Sequence, residues 1–499
     1  MNAIYLCVIA EPWIKVSQEL IKNLNITPSY IVCWSYDLSS FKNSLSNNAH
    51  IQNMDDAWQG LGFPKDIYRY IFDEEELKAI SYYELIALKM MDRIDPDGES
   101  FPFITRLQFF RDLMGYWYNV VEDREIVLVI SPSIPHRVFD YALYAVCKIK
   151  NIKFIMFQLT PFGSNSIVID NIDAMPSLPK DKVEKHLPSK VIQEKIAKVC
   201  GDYSKAIPSY MLKHKANDEK IHTLLPVPRI KKLLRSYIPR VTKPYTYWVK
   251  AGFSPKDTQY SWYDFYAMED KRSKNVDRFK KVYNTIVTSS LPKKFILVAL
   301  HYQPEETSCP TGGVYSDQIL MIQLLNQCLP KNITIVVKEH KSQFYSHQES
   351  ASGRNLQFYK RISEISGRVK FVSEDYDPFK LIDQAQAVVT ISGTIGWESA
   401  VRGTPTIVFG RAWYEEMPRV FKVKIKSDLI AALQQLPQQK NKDMHSEIMR
   451  FHAVLEDSFV LAKHYKAFLD NNDVTMKESV VNLVDKLENF LNLKIKKNE

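Results

Sequence analysis

The stretch Ala387-Val388-Val389-Thr390-Ile391-Ser392-Gly393-Thr394-Ile395-Gly396-Trp397-Glu398-Ser399-Ala400 reads as a strand, a tight turn and a helix. Its apolar, β-branched start predicts a strand of a parallel sheet. Its turn delivers Ser392, Thr394 and the first N–H groups of a helix to the carboxyl end of that strand, where open α/β sheets bind ligands. Working outward, the same junction recurs. Phe295–Leu300 runs into His301-Tyr302-Gln303-Pro304-Glu305 and then Gly312-Gly313. Ile333–Lys338 runs into Glu339-His340, and Thr406–Phe409 into Gly410-Arg411-Ala412-Trp413-Tyr414. The chain has only 15 Gly, and six of them (312, 313, 393, 396, 403 and 410) lie in or beside these junctions. Glycine that is scarce and placed this way marks positive φ or close backbone approach.

With Val369–Val372 as a further strand and helices over Asp317–Cys328, Phe358–Ile365, Pro378–Gln384 and Trp397–Arg402, the region from 291 to 470 is expected to be one doubly wound α/β domain. The first 200 residues repeat the alternation. Strands are expected at Ile4–Ala10, Tyr30–Trp34, Ile126–Ser131 and Phe154–Gln158. Helices are expected at Val16–Asn23, Asp73–Met91 and Phe139–Lys150. Two Rossmann-like, doubly wound domains facing a cleft suit 499 residues, which exceed what one core supports. The first domain is expected to span 1–290, with a Pro- and Lys-rich connector from about 226 that carries Arg229, Lys231, Lys232, Arg235, Arg240 and Lys243. A final segment, 471–499, reads as an amphipathic helix (Lys477–Leu493) with a Lys-rich end.

Composition narrows the function. Hydrophobic residues make up 45% and charged residues 25%, as in an ordinary globular protein. The net charge of +9 is spread among mixed charges; it fits an anionic ligand or an anionic membrane face and gives no Arg/Lys stripe for nucleic acid. Six scattered cysteines show neither metal spacing nor a disulfide framework, which fits a reducing, cytoplasmic setting. No signal peptide or spanning segment is visible. The chain has no G-x-S-x-G elbow, P-loop, H-E-x-x-H or G-x-G-x-x-G, so hydrolase, NTPase and dehydrogenase readings are poor.

The junction residues suggest a division of labour. Ser392, Gly393, Thr394 and Gly396 would cradle a phosphate, and Glu398 in the first turn would accept ribose hydroxyls; an ordinary helix cap is the plain alternative. Lys338 adds charge, and His340 could donate to a phosphate oxygen and assist a leaving group. His301, Gln303 and Glu305 stand at the mouth of the cleft, where a carboxylate could act as base or nucleophile. Gly312, Gly313 and Asp317 would form a close-fitting loop for the donor sugar, with Asp317 also suited to a helix N-cap. Ser131, His136 and Gln158, at strand ends of the first domain, would face the acceptor.

At these residues the sequence resembles bacterial capsule polysaccharide biosynthesis proteins, including the retaining β-Kdo transferases (Kdo is 3-deoxy-manno-octulosonic acid). The resemblance is carried by Ala299–Glu305 with Cys309–Gly313, by Val337–His340, by Thr390–Glu398 and by Phe409–Tyr414, and it covers about 295–415. It implies a GT-B fold with the donor in the C-terminal domain and, for the Kdo members, a CMP-activated donor; His340 and the 392–398 turn would neutralise the leaving phosphate, so no metal and no cofactor beyond the nucleotide-sugar donor are expected. The family's His-Pro pair stands here as His340-Lys341. Carried over, His340, Ser392, Thr394 and Glu398 would hold the nucleotide, and Glu305 is the first choice for the catalytic acid, with Glu306, Asp317 and a first-domain acid left open. The expectation is a glycosyltransferase moving Kdo from a CMP-sugar to a glycan or glycolipid acceptor, in peripheral contact with an anionic membrane. A UDP-sugar transferase or epimerase and a non-catalytic scaffold are the alternatives.

Overall fold

A computed structural model describes residues 1–45, 49–93, 95, 101–176, 178, 187–207, 211, 212, 216, 262–303, 305–345, 353–440 and 443–495. The basic stretch 229–243 lies outside them, as do Pro304 and Lys496–Lys497.

In the first domain the strands are β1 (Asn2–Val8), β2 (Thr27–Cys33), β3 (His50–Asn53), β4 (Ile126–Ser131), β5 (Lys153–Leu159) and β6 (Asn165–Ile169). In the second they are β7 (Phe295–Ala299), β8 (Thr334–Lys338), β9 (Val369–Val372), β10 (Val388–Thr390), β11 (Thr406–Val408) and β12 (Val420–Lys422). A last strand, β13 (Phe459–Leu461), follows. The second sheet has the order β12-β11-β10-β7-β8-β9, parallel throughout. Counted within the domain, this is the 3-2-1-4-5-6 Rossmann order, with the direction of winding reversing between β7 and β10. All five residues of β7 are buried, as expected of a strand covered on both faces by helices.

The first sheet, β13-β6-β5-β4-β1-β2-β3, repeats that order over β3, β2, β1, β4 and β5 and then departs from it. β6 pairs antiparallel with β5, and β13 antiparallel with β6. The expected ligand loop after β5 is instead a hairpin. Gly163 turns it with φ of 63°, and Asp473 accepts from the backbone N–H and hydroxyl of Ser164, both at 2.7 Å.

The C-terminal part corrects the expected domain limits. β13 sits in the first sheet, so the second domain does not continue to 470. The helix Met476–Ile495 forms as expected but lies on helix Ala10–Leu24, burying Leu483, Val484, Leu487 and Leu491 with Trp13, Val16 and Leu20. Its apolar face is occupied by the first domain and is not free for a membrane. Among the described residues no helix is long and apolar enough to cross a membrane.

The carboxyl ends of the two sheets meet. His136, beyond β4, lies 3.4 Å from Glu306, beyond β7. Gln158, on β5, accepts from Arg411, beyond β11. Phe162, from the β5–β6 hairpin, packs edge-on against Trp397 and Trp413 at ring separations of 5.9 and 5.5 Å.

Candidate active site

A doubly wound sheet opens a crevice where its winding reverses. Here that point lies between β7 and β10, and a cavity of about 210 Å³ occupies it. The wall is built from the strand ends: His301 beyond β7, Lys338 at the end of β8 with Glu339 to Lys341 beyond it, and Thr390 at the end of β10 with Gly393, Thr394 and Glu398 beyond it. Glu305 and Thr307 close one side, and Tyr203 and Met211 from the connecting segment cover another.

His301 is locked. The Ser392 backbone N–H donates to its Nε2 at 3.2 Å, and the Thr390 hydroxyl lies 2.9 Å from the same nitrogen. The proton therefore sits on Nδ1, which faces the Thr307 hydroxyl at 3.3 Å. Burial, with His340 and Arg354 nearby, pushes its pKa down to about 3. His301 is neutral and ties the β7 and β10 loops together; it is no proton donor at neutral pH. Ser392 is drawn into the same knot, its hydroxyl donating to the Thr307 carbonyl.

His340 has the opposite tautomer. The Ser342 backbone N–H donates to its Nδ1 at 3.2 Å, so Nε2 keeps the proton and is the donor this ring can offer. Burial lowers its pKa to about 4, helped by Lys338 and Arg354. Lys338 donates to the Glu374 carbonyl at 2.7 Å; burial lowers it to about 8, against the pull of Glu374 and Glu339. The helix Thr394–Val401 enters the cavity wall with Gly393 as N-cap and no side chain capping it. One neutral donor, one ammonium and one uncapped helix N-terminus therefore converge, an arrangement suited to a phosphate.

The helix starts three residues before the sequence reading placed it, so Glu398 stands in the second turn and not the first. It still lines the cavity. Burial raises its pKa to about 7, with Lys195 and Arg402 pulling the other way. Glu305 lines the cavity as well.

Several expected site residues serve the scaffold. Gln303 turns inward, its backbone N–H donating to Gln343 Oε1 at 2.9 Å and its side-chain amide donating to the Ser308 hydroxyl. Gly312 is there because a Cβ would come within 2.9 Å of Ile391 Cγ2, and Gly313 because its φ is 52°. Gly396 lets Tyr414 and Thr406 approach the helix. Asp317 is an exposed N-cap, accepting from the Ile319 N–H at 3.1 Å. On the first domain, Ser131 donates to the Ser133 carbonyl at 2.8 Å, and His136 Nδ1 donates to the Ile134 carbonyl at 2.6 Å. Gln158 is held by Arg411, which also donates to the Ile172 carbonyl at 2.6 Å. Gln158 is thus part of an interdomain clamp. The sequence reading missed Arg411 and Arg354 as individual residues; Arg411 is a lone cation between Phe409 and Trp413, a pattern that signals a buried partner, whereas Arg354 stands in a polar stretch that gives no such signal.

Residues 281–418 match the model of the family described as capsule polysaccharide biosynthesis protein. The matched residues make up most of the second domain. The match runs from the end of helix Trp262–Ile286 through β11 and includes every junction that lines the cavity. The chain is similar to the solved structure of a β-Kdo 2,7 transferase from Thermosulfurimonas dismutans, at 10% identity over 84% of this chain and 99% of that one, with a TM-score of 0.27. It is similar to a glycosyltransferase from Rickettsia africae ESF-5, at 10% identity over 98% of both chains, TM-score 0.25. It is also similar to the UDP-GlcNAc 2-epimerase of Methanocaldococcus jannaschii, at 12% identity over 92% and 98%, TM-score 0.23. At such scores the fold assignment rests on the strand order given above. No curated protein matches the sequence. The matched segment contains most of the residues that wall the cavity.

Proposed function

We propose that the chain is a glycosyltransferase of bacterial surface-polysaccharide synthesis that moves Kdo from a CMP-sugar to a glycan or glycolipid acceptor. The observation that supports this reading most is the convergence of His340, Lys338 and the uncapped end of helix Thr394–Val401 on one cavity at the winding reversal. The nucleotide's phosphate would sit against the helix N–H groups and His340 Nε2–H, with Lys338 adding charge. Glu398, one turn further, would take the ribose hydroxyls. The leaving group of a nucleotide sugar is that phosphate, and fixed donors placed where its charge develops lower the barrier.

Glu305 is the proposed nucleophile. Its carboxylate would bond to the anomeric carbon while the bond to the phosphate oxygen breaks and the electron pair leaves with CMP. The acceptor hydroxyl oxygen then displaces Glu305, its proton passing to the departed phosphate. Two inversions retain the configuration. His301 would hold the β7 and β10 loops in register during both steps. Peripheral membrane contact, if made through 229–243, would bring the enzyme to a lipid-linked acceptor.

The test is incubation with a panel of nucleotide sugars, read by product analysis and intact-protein mass spectrometry, with thermal shifts for CMP and UDP alongside. A CMP-selective shift and transfer of Kdo support the proposal. A UDP-selective shift with transfer or epimerisation of a UDP-sugar overturns the donor, and absence of any nucleotide effect overturns the enzyme.

A further inference from the structure

We infer that the buried Glu339–Arg354 pair is the positioning element of this cavity, fixing the loops that carry His301 and His340 relative to one another. Glu339 is fully buried and Arg354 is 5% exposed. Arg354 Nε donates to Glu339 Oε2 at 2.9 Å and Nη2 to Oε1 at 3.3 Å. The same Nη2 donates to the His301 carbonyl at 2.9 Å. On the other side, Glu339 Oε1 accepts the His340 backbone N–H at 2.8 Å. One ion pair therefore connects the backbones of both histidines, at the ends of neighbouring strands β7 and β8.

Its remaining valences are used too. Tyr359 donates to Glu339 Oε2 at 2.8 Å, and the Glu339 N–H donates to the Tyr283 hydroxyl at 3.0 Å, which itself donates to the Val372 carbonyl at 2.6 Å. The Arg354 guanidinium rests over the Phe358 ring at 4.2 Å. Stability gives no account of charges at this place, because a buried ion pair replaced by apolar residues of similar volume often leaves a protein no less stable. What the pair has, and apolar side chains lack, is direction. It aims one donor at the His301 carbonyl and one acceptor at the His340 N–H. A displacement of about 1 Å at such a site can cost about 100-fold in rate.

This inference rests on the nucleotide reading of the cavity, and its test is arranged so the two can fail separately. The double variant Glu339→Gln/Arg354→Met removes both buried charges; Arg354→Lys keeps the charge and loses the fork that reaches His301. Each is compared with wild type by thermal melting, by CMP binding, and by ¹⁵N spectroscopy of the His340 ring in the ligand-free protein. Expected are a double variant that melts near wild type, a His340 ring that no longer holds one tautomer, and CMP binding weakened about 100-fold. Arg354→Lys should melt like wild type and bind CMP at least tenfold more weakly. A His340 ring signature and CMP affinity unchanged in the double variant overturn the positioning role. If the double variant does not fold, Arg354→Lys decides alone, and wild-type binding and ring signature in it overturn the role. If wild type binds no nucleotide, the functional reading fails, and the ring signature still decides the positioning claim.

Discussion

Glu398→Gln separates what burial does to this carboxyl from what a ligand does. Burial raises the Glu398 pKa from 4.5 to about 7. A raised acid keeps its proton in the folded chain after the unfolded chain has lost it. Its contribution to stability is therefore fully present below about pH 4.5 and is lost as pH rises through about 7. Between pH 5 and pH 8 the loss works out at about 2.5 kcal/mol, at 1.36 kcal/mol for each unit of pKa. Glutamine has nearly the same shape and no charge to bury. Urea unfolding of both proteins at pH 5 and pH 8 should show the variant gaining on wild type by roughly that amount across the interval. A wild-type-minus-variant difference that stays constant from pH 5 to pH 8 would refute the reasoning. Ribose hydroxyls donated to Glu398 favour its ionised form, so nucleotide binding at pH 6 should release protons. Calorimetry in buffers of different ionisation enthalpy should detect that release in wild type and not in Glu398→Gln.

Three further outcomes are expected. His340→Ala should weaken nucleotide binding and lower turnover by ~100-fold while leaving the melting temperature within about 2 °C, because it removes one donor from an otherwise intact site; equal turnover in the variant would remove His340 from the reaction. Arg411→Met should cost about 3 kcal/mol in urea unfolding, because Gln158 and the Ile172 carbonyl lose their donor in a buried seam. Gly396→Ala should cost ~1–3 kcal/mol, since a Cβ would stand 2.9 Å from Thr406 Cγ2 and overlap the Tyr414 hydroxyl; a neutral result would show that Gly396 is not held by packing.

The second domain was legible because parallel strands are buried on both faces and so appear as unbroken apolar runs. Val369–Val372 and Pro378–Gln384 coincide with the elements found. Short polar strands escape that signal. β3 is His-Ile-Gln-Asn, and nothing in four such residues announces a strand. Helix Phe103–Asp123 was missed although its signal was present: Phe110, Leu113, Met114, Trp117, Val120 and Val121 recur at helical spacing and are all buried. At the site, glycines marked close approach without saying to what. Gly393 lines the cavity; Gly312 and Gly396 accommodate the protein's own atoms. Ser392 and His301 were expected to act on a ligand and instead bond to each other, because a sequence lists donors and acceptors without pairing them. Glu339 and Arg354 lie 15 residues apart with no shared motif, and only the fold shows them as one unit.

The chain's return to the first sheet bears on how the cleft can move. Among the described residues the chain contributes β1 to β6 to the first sheet and β7 to β12 to the second, and after helix Lys426–Gln439 it returns to the first sheet at β13. Beside the second crossing, Trp397 donates to His452 Nε2 at 2.9 Å and packs against Phe162 of the β5–β6 hairpin. Burial lowers the His452 pKa to about 4, so this acceptor persists at neutral pH. Trp397 belongs to helix Thr394–Val401, whose N-terminus lines the cavity. The element offered to a phosphate is thus fastened through its own first turns to the opposite domain, next to the Arg411 clamp. A rotation that opened the cleft at this seam would have to break the aromatic cluster and the clamp together, while β13 stays paired with β6 in the first sheet.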